Sequence, residues 1–371
     1  MIKKITLGQF YTTNYKRILD GMEQPVIKKI VEPFVGNGDL LQFIQERGSC
    51  EIMCYDVDPL HVGDRAAIEN VENVERNVEQ NVKQNVKQNV EQRDTLIDPP
   101  AYAGTFVLTN PPYLARNKAL DKTIFDKYGE NDLYKCFLRT LLRDPPVGGI
   151  IIIPLNFWSS IRKADACLRR CFLEHFEIIR TNIFEERVFD DTSYTVCSIE
   201  FVKRRDQAAE PIAFYIYAGG GGDPTCMSFE LNESTNWSIG GKIYKLPQGT
   251  ATVDRLTRKN AESASGITNI KLFSIDNNAS KMIRLEITED RFVDTTAKLS
   301  ERTFATLIIT PELSLDQQAE LVQKFNSCLR VMRKKYRSLF LTNYRESTSI
   351  SRKRISFELV YSIVKYLIQR Q

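Results

Sequence analysis

Two groups of residues in this sequence have types and spacing suited to chemistry. The first is Asn110-Pro111-Pro112-Tyr113, which directly follows the apolar β-type run Phe106-Val107-Leu108-Thr109. Two consecutive prolines hold the backbone in a fixed extended or turned form. The position just outside the carboxyl end of a strand is where open α/β sheets place their ligands, so Asn110 and Tyr113 are presented rigidly at such a place. The second group joins Gly36-Asn37-Gly38, between the strand-like Ile30 to Phe34 and a helical Asp39 to Ile44, to Asp56 at the end of the next strand-like run. Glycines on a strand-to-helix turn let a backbone approach a ligand closely, and an acid closing the following strand is placed to accept from ribose hydroxyls. A structural tight turn would explain the glycines by themselves, and an acid at a strand end is weak evidence by itself. Together they imply a cofactor that carries a nucleoside.

These residues need an α/β scaffold, and the pattern between Ile27 and Val202 supplies one. Short β-branched runs at Ile30 to Phe34, Ile52 to Tyr55, Phe106 to Thr109, Ile150 to Pro154, Ile178 to Asn182 and Thr195 to Val202 alternate with helical patterns, as in a sheet with crossover helices. Residues 69–93 interrupt this order with a low-complexity tract that carries Val71, Val74, Val78, Val82, Val86 and Val90. A four-residue step advances about 400° on a helix, so the valine stripe drifts by roughly 40° per repeat and cannot keep facing one core. The tract reads as a largely solvated insertion. After Val202 the register changes and Gly219 to Gly222 follow, so the chain is expected to divide into residues 1–204 and 205–371. From Ser314, a candidate N-cap, a helical pattern returns with Leu315, Leu321, Val322, Phe325, Leu329 and Met332 on its apolar side.

At this point the residues resemble a known family, the N6-adenine-specific DNA methyltransferases whose cofactor motif precedes Asn-Pro-Pro-Tyr. The resemblance spans residues 8–203. Gly8-Gln9-Phe10-Tyr11-Thr12-Thr13 looks like the segment that closes over the methionine end of the cofactor, with Thr12 at the contact position. Val31-Glu32-Pro33-Phe34-Val35-Gly36-Asn37-Gly38 is similar to the first cofactor motif, with Glu32 facing the methionine amino group. Asp56 matches the ribose-binding acid, and Asp94 the acid that accepts from the cofactor's adenine amino group. Gly148 to Pro154 and Arg187-Val188-Phe189 resemble later strand motifs. The resemblance implies a Rossmann-like α/β methyltransferase domain that uses S-adenosylmethionine, followed by a C-terminal target-recognition region. It further implies double-stranded DNA as partner and, as in restriction-modification systems, a possible separate endonuclease.

The chemistry is consistent with that family. An adenine amino nitrogen is a weak nucleophile because its lone pair is delocalised, and it needs acceptors for its hydrogens as it becomes tetrahedral. The Asn110 side-chain oxygen and the Pro111 carbonyl are such acceptors. The target base must leave the duplex, and Tyr113 and Phe189 are the rings expected to stack on it. Cytosine C5 methylation needs a cysteine nucleophile, presented after proline in that family, and none of the eight cysteines follows a proline. N4-cytosine, RNA-base and protein-glutamine methylation remain as alternatives, as does a DNA-binding subunit without activity.

Net charge is only +4, from 51 basic and 47 acidic residues, so any nucleic-acid contact must be local. One segment is strongly basic: Arg330, Arg333, Lys334, Lys335, Arg337, Arg345, Arg352, Lys353 and Arg354 stand against Glu346 alone, with Tyr336, Phe340 and Tyr344 between them. Either these residues grip a duplex or they form a solvated face over core aromatics. No cysteine pairing suggests zinc, no acid-acid-lysine nuclease constellation is evident, and no apolar run approaches the roughly 18 residues of a membrane span. The expectation is a soluble intracellular protein with reduced thiols and no metal.

Overall fold

The computed structural model describes residues 12, 14–23, 29–44, 51–61, 90–185, 188–189, 195–205, 211–218, 221–276, 281–295, 303–346 and 351–369. The chain forms two compact units, residues 1–157 with 162–230, and residues 158–161 with 231–371.

The first unit is built on a nine-stranded sheet: β1 (Lys29–Glu32), β2 (Glu51–Asp56), β3 (Val90–Gln92), β4 (Phe106–Thr109), β5 (Gly148–Pro154), β6 (Phe176–Phe184), β7 (Val196–Lys203), β8 (Ile212–Tyr217) and β9 (Thr225–Phe229). Their order is β3-β2-β1-β4-β5-β7-β6-β8-β9. The strands β3, β2, β1, β4 and β5 run parallel, and β7 lies antiparallel between β5 and β6. Every residue of β4 and β5 is buried, which is why they read as continuous apolar runs instead of alternating ones. Gly149 is required by close strand packing, since a Cβ there would stand 2.6 Å from the Val107 carbonyl oxygen and 2.8 Å from the Phe201 ring. Helices α1 (Tyr15–Ile18), α2 (Leu41–Ile44), α3 (Thr123–Tyr128), α4 (Leu133–Arg143) and α5 (Lys163–His175) belong to this unit. On α4 the buried Leu133, Phe137 and Leu141, one helical turn apart, form a stripe that faces the core.

All six strand-like runs seen in the sequence are strands here, but two boundaries differ. The first unit continues to Glu230 and does not end at residue 204, because β8 pairs parallel to β6 and β9 pairs antiparallel to β8, extending the same sheet. The glycine-rich stretch therefore joins two strands of one sheet. The repeat tract also ends earlier than expected: Val90–Gln92 is a strand paired with Cys54, Tyr55 and Asp56, while residues 69–89 lie outside the described residues.

The second unit contains a four-stranded antiparallel sheet, β10 (Thr252–Arg255), β11 (Ile267–Phe273), β12 (Arg284–Ile287) and β13 (Phe304–Thr310), in the order β10-β13-β11-β12. Helices α6 (Leu315–Tyr336) and α7 (Phe357–Ile368) share a core with it. Ile270, Leu272, Leu285, Leu307 and Ile309 of the sheet pack with Leu321, Phe325 and Leu329 of α6 and with Val360, Ile363 and Val364 of α7. Ser314 caps α6 as the sequence predicts. Its hydroxyl accepts from the Gln317 N–H at 3.2 Å, and Gln317 Oε1 accepts from the Ser314 N–H at 2.9 Å, a reciprocal cap worth about 1 kcal/mol. Leu315, expected on the apolar side, is exposed. A hairpin of β14 (Thr342–Glu346) and β15 (Ser351–Arg354) precedes α7.

The repeat tract and β3 are separable by deletion. Replacing residues 70–86 with a short Gly/Ser linker leaves the folded protein intact, because changing loop length costs only about 0.6 kcal/mol per doubling. Extending the deletion through Gln92 removes an edge strand and lowers the thermal midpoint by several degrees. Thermal unfolding of both variants checks this, and equal losses would show that the tract itself packs.

Candidate functional site

A cavity of about 320 Å³ opens along the carboxyl ends of β1, β2 and β4. Its wall includes Thr12, Phe34, Gly36, Asp56, Asp94, Asn110 and Pro112. The glycine turn is shaped by two left-handed residues, Gly36 at φ 51° and Gly38 at φ 77°, a region that side-chain-bearing residues enter at a cost. Asp56 holds the turn against β2. Its Oδ2 accepts from the Gly36 N–H at 2.8 Å, its Oδ1 accepts from the Asp58 N–H at 2.8 Å, and the Val35 N–H donates to the Tyr55 carbonyl at 3.1 Å. Asp94 starts a turn of its own, with Oδ1 accepting from Leu96 and Ile97 N–H at 3.0 and 3.2 Å. Thr95 anchors this segment to the turn after β1 through a 3.1 Å hydrogen bond to the Pro33 carbonyl.

Asn110, 8% exposed, reaches the wall at the end of β4. Its Nδ2 lies 3.1 Å from the Thr12 hydroxyl, and its Oδ1 meets the Tyr113 hydroxyl. The same phenol lies 2.6 Å from the Ile152 carbonyl, so one proton faces two acceptors. Turning the Asn110 amide about its terminal bond resolves the conflict. Nδ2 then donates to the phenol oxygen, the phenol donates to Ile152, and Oδ1 accepts from Thr12. In either orientation the amide plane is held from both sides.

The expected site residues are not all on the cavity. Pro33 and Pro111 shape the backbone, and Gly38 forms the turn without reaching the wall. Tyr113 and Phe189 are each 2% exposed and off the wall. The Tyr113 ring packs edge-on against Tyr134 at 6.3 Å, so neither ring offers a face for stacking in this conformation. Glu32 is likewise buried off the wall, at 1% exposure. Its Oε1 accepts from the Thr109 hydroxyl at 2.6 Å and the Phe34 N–H at 3.2 Å. Several wall residues escaped the sequence reading: Val57, Arg93, Leu96, Leu120, Ile124 and Phe125. Arg93 lies beside the Tyr55 ring and pairs with Asp98 at 2.8 Å. Its position immediately before Asp94 was the only signal available. Among the described residues no group of three His, Cys, Asp or Glu side chains could hold a metal, and no helix is long and apolar enough to cross a membrane.

In the second unit, two of the nine cations of the basic segment are committed elsewhere. Arg333 forms a bidentate pair with the buried Asp276, at 2.8 and 3.2 Å, and also donates to Ser338. Lys353 is 5% exposed in β15, where its carbonyl accepts from the Asp276 N–H at 3.0 Å. Arg337 and Arg354 are half-buried, and the Arg352 side chain lies outside the described residues. Lys334 and Lys335 are exposed, together with Arg330 one turn earlier. Phe340 is a core residue, which favours the core-aromatic reading for that ring.

No protein-family model matches the sequence, and no curated protein matches it. Among solved structures, a component of a type I restriction-modification system matches at 17% identity and TM-score 0.41, over 56% of this chain and 45% of the other. The methyltransferase subunit of the type I restriction-modification system from Streptococcus thermophilus matches at 16% identity and TM-score 0.37, over 58% and 50%. The type IIG restriction endonuclease BpuSI matches at 11% identity and TM-score 0.41, over 66% and 35%. The chain thus spans half or less of the length of these three proteins.

Burial pushes the Glu32 carboxyl up to about 8, against the lowering effect of its two hydrogen-bond donors. The folded state therefore keeps this proton at pH values where the unfolded chain, titrating near 4.5, has released it. The stabilisation is complete below about pH 4.5 and is lost as pH rises through about 8. Glu32→Gln removes this dependence. Relative to the variant, the natural protein loses on the order of 2–4 kcal/mol between pH 5 and 8, read from denaturant unfolding at a series of pH values. Parallel profiles for the two proteins would show that Glu32 is ionised in the fold.

Proposed function

We propose that the chain is an S-adenosylmethionine-dependent DNA methyltransferase that modifies the N6 amino group of adenine. The observation that carries this reading is that Asn110 shares one cavity wall with Asp56 and Asp94. Two carboxylates suited to ribose hydroxyls and an exocyclic amine stand in the same cavity as a carboxamide suited to a second amine. The donor set fits the cofactor: Asp56 and Asp94 are acceptors, Leu96, Ile124 and Phe125 supply apolar cover, and the acidic lining favours a cation.

When bound, the cofactor supplies an electrophilic methyl group on a sulfonium. The remaining work belongs to the protein. Asn110 Oδ1 and the Pro111 carbonyl accept the amine hydrogens of the target base and draw its lone pair toward attack, and the two prolines keep both acceptors in place. Thr12 orients the amide, and Tyr113 holds it only while its ring is buried. Stacking of the base by Tyr113 and Phe189 requires both rings to turn out of their buried positions when DNA binds, at a gain of about 1–3 kcal/mol per ring once stacked. The second unit contributes phosphate contacts through Arg330, Lys334 and Lys335, and a restriction endonuclease, where one accompanies the enzyme, is a separate protein.

Asn110→Ala lowers methyl transfer at least 100-fold, by analogy with the loss of one oxyanion-hole donor, while calorimetric affinity for S-adenosylmethionine changes little. Modified adenines are read by single-molecule sequencing of plasmid DNA. Modified cytosine N4 in its place would redirect the substrate assignment, and activity within tenfold of the natural protein would remove Asn110 from the mechanism.

Lys334→Ala with Lys335→Ala flattens the log-log salt dependence of duplex binding by about 1–2 units, each lost phosphate contact being worth about 0.9. An unchanged slope would place the duplex on another surface.

A further inference from the structure

Leu120 lines the cavity and yet is 94% exposed. It sits on the loop between Tyr113 and α3, whose ends are fastened. The Arg116 N–H donates to the Asn131 carbonyl at 2.9 Å, Ala115 forms a bridge with Asp132, and Asp121 Oδ1 accepts from the Thr123 N–H and hydroxyl at 2.9 and 2.6 Å. A loop held at both ends carries a large aliphatic side chain in water at the mouth of a cavity. Val57, the residue after Asp56, lies on the same wall and is 43% exposed. Leu96, Ile124 and Phe125 continue this apolar lining next to Asp94.

The distribution of polarity indicates what these side chains cover. Asp56 and Asp94 offer acceptors for hydroxyl and amino substituents, and the aliphatic surface beside them suits the flat ring that carries such an amino group. A leucine that passes from water onto an apolar ring removes area from solvent on both partners. We propose that Leu120 is a cofactor-binding residue that closes over the purine ring of the bound nucleoside. This rests on the reading of the cavity as an S-adenosylmethionine site.

The test uses the full chain and S-adenosylhomocysteine as probe, so that no turnover is needed. Leu120→Ala weakens binding by about tenfold, as expected for roughly half to all of a leucine side chain buried on binding, whereas Leu120→Met stays within about threefold. In Leu120→Trp, saturating S-adenosylhomocysteine protects the added indole from acrylamide quenching, measured against the natural protein with its two tryptophans. An unchanged dissociation constant in Leu120→Ala, or quenching in Leu120→Trp that the probe does not alter, overturns the role of Leu120. If the natural protein itself fails to bind the probe, the reading of the cavity falls first.

Discussion

The site depends on a reversal in strand order. From β1 the chain moves outward to β2 and β3 on one side, then returns to place β4 on the other side of β1. The loops that leave the carboxyl ends of β1 and β4 therefore diverge and leave a crevice between them, the general position for ligands in open α/β sheets. The glycine turn leaves from β1 and Asn110 from β4. A hydrogen bond across this point, from Thr109 on β4 to Glu32 on β1, ties the two strands directly beneath the cavity.

That tie carries an electrostatic burden. A carboxyl with 1% exposure cannot easily ionise, and its two donors offset only part of the desolvation. Asp56, on the neighbouring strand, adds a further push upward. A cation entering the cavity would act in the opposite sense and favour the ionised form of Glu32.

The second unit shows how charge in a sequence differs from charge at a surface. A basic segment of nine cations against one acid invites a nucleic-acid reading. Once folded, Arg333 is spent on a buried aspartate distant in sequence, Lys353 is buried with its carbonyl bonded to that aspartate's N–H, and Phe340 completes an apolar core. Lys334 and Lys335, the residues immediately after Arg333, remain in solvent, because successive residues on a helix point about 100° apart and only one of the three can face Asp276.

Local pattern by itself determined the α/β class, the six strands named from the sequence, the Ser314 cap, the glycine turn and the placement of Asn110 just past a strand. Each depends on periodicity or on the backbone limits of Gly and Pro, which act over a few residues. Only the tertiary structure decided the rest. Whether β8 and β9 extend the first sheet is a matter of long-range pairing, and that pairing moved the boundary from residue 204 to 230. Whether Tyr113 faces a ligand or the Ile152 carbonyl depends on a partner 39 positions away in sequence. Leu120 carried no motif, and it joined the site because the strand reversal and two loop anchors brought it to the cavity mouth. Contacts of that kind are set by the packing of distant elements, so residue types and spacing along the chain could not disclose them.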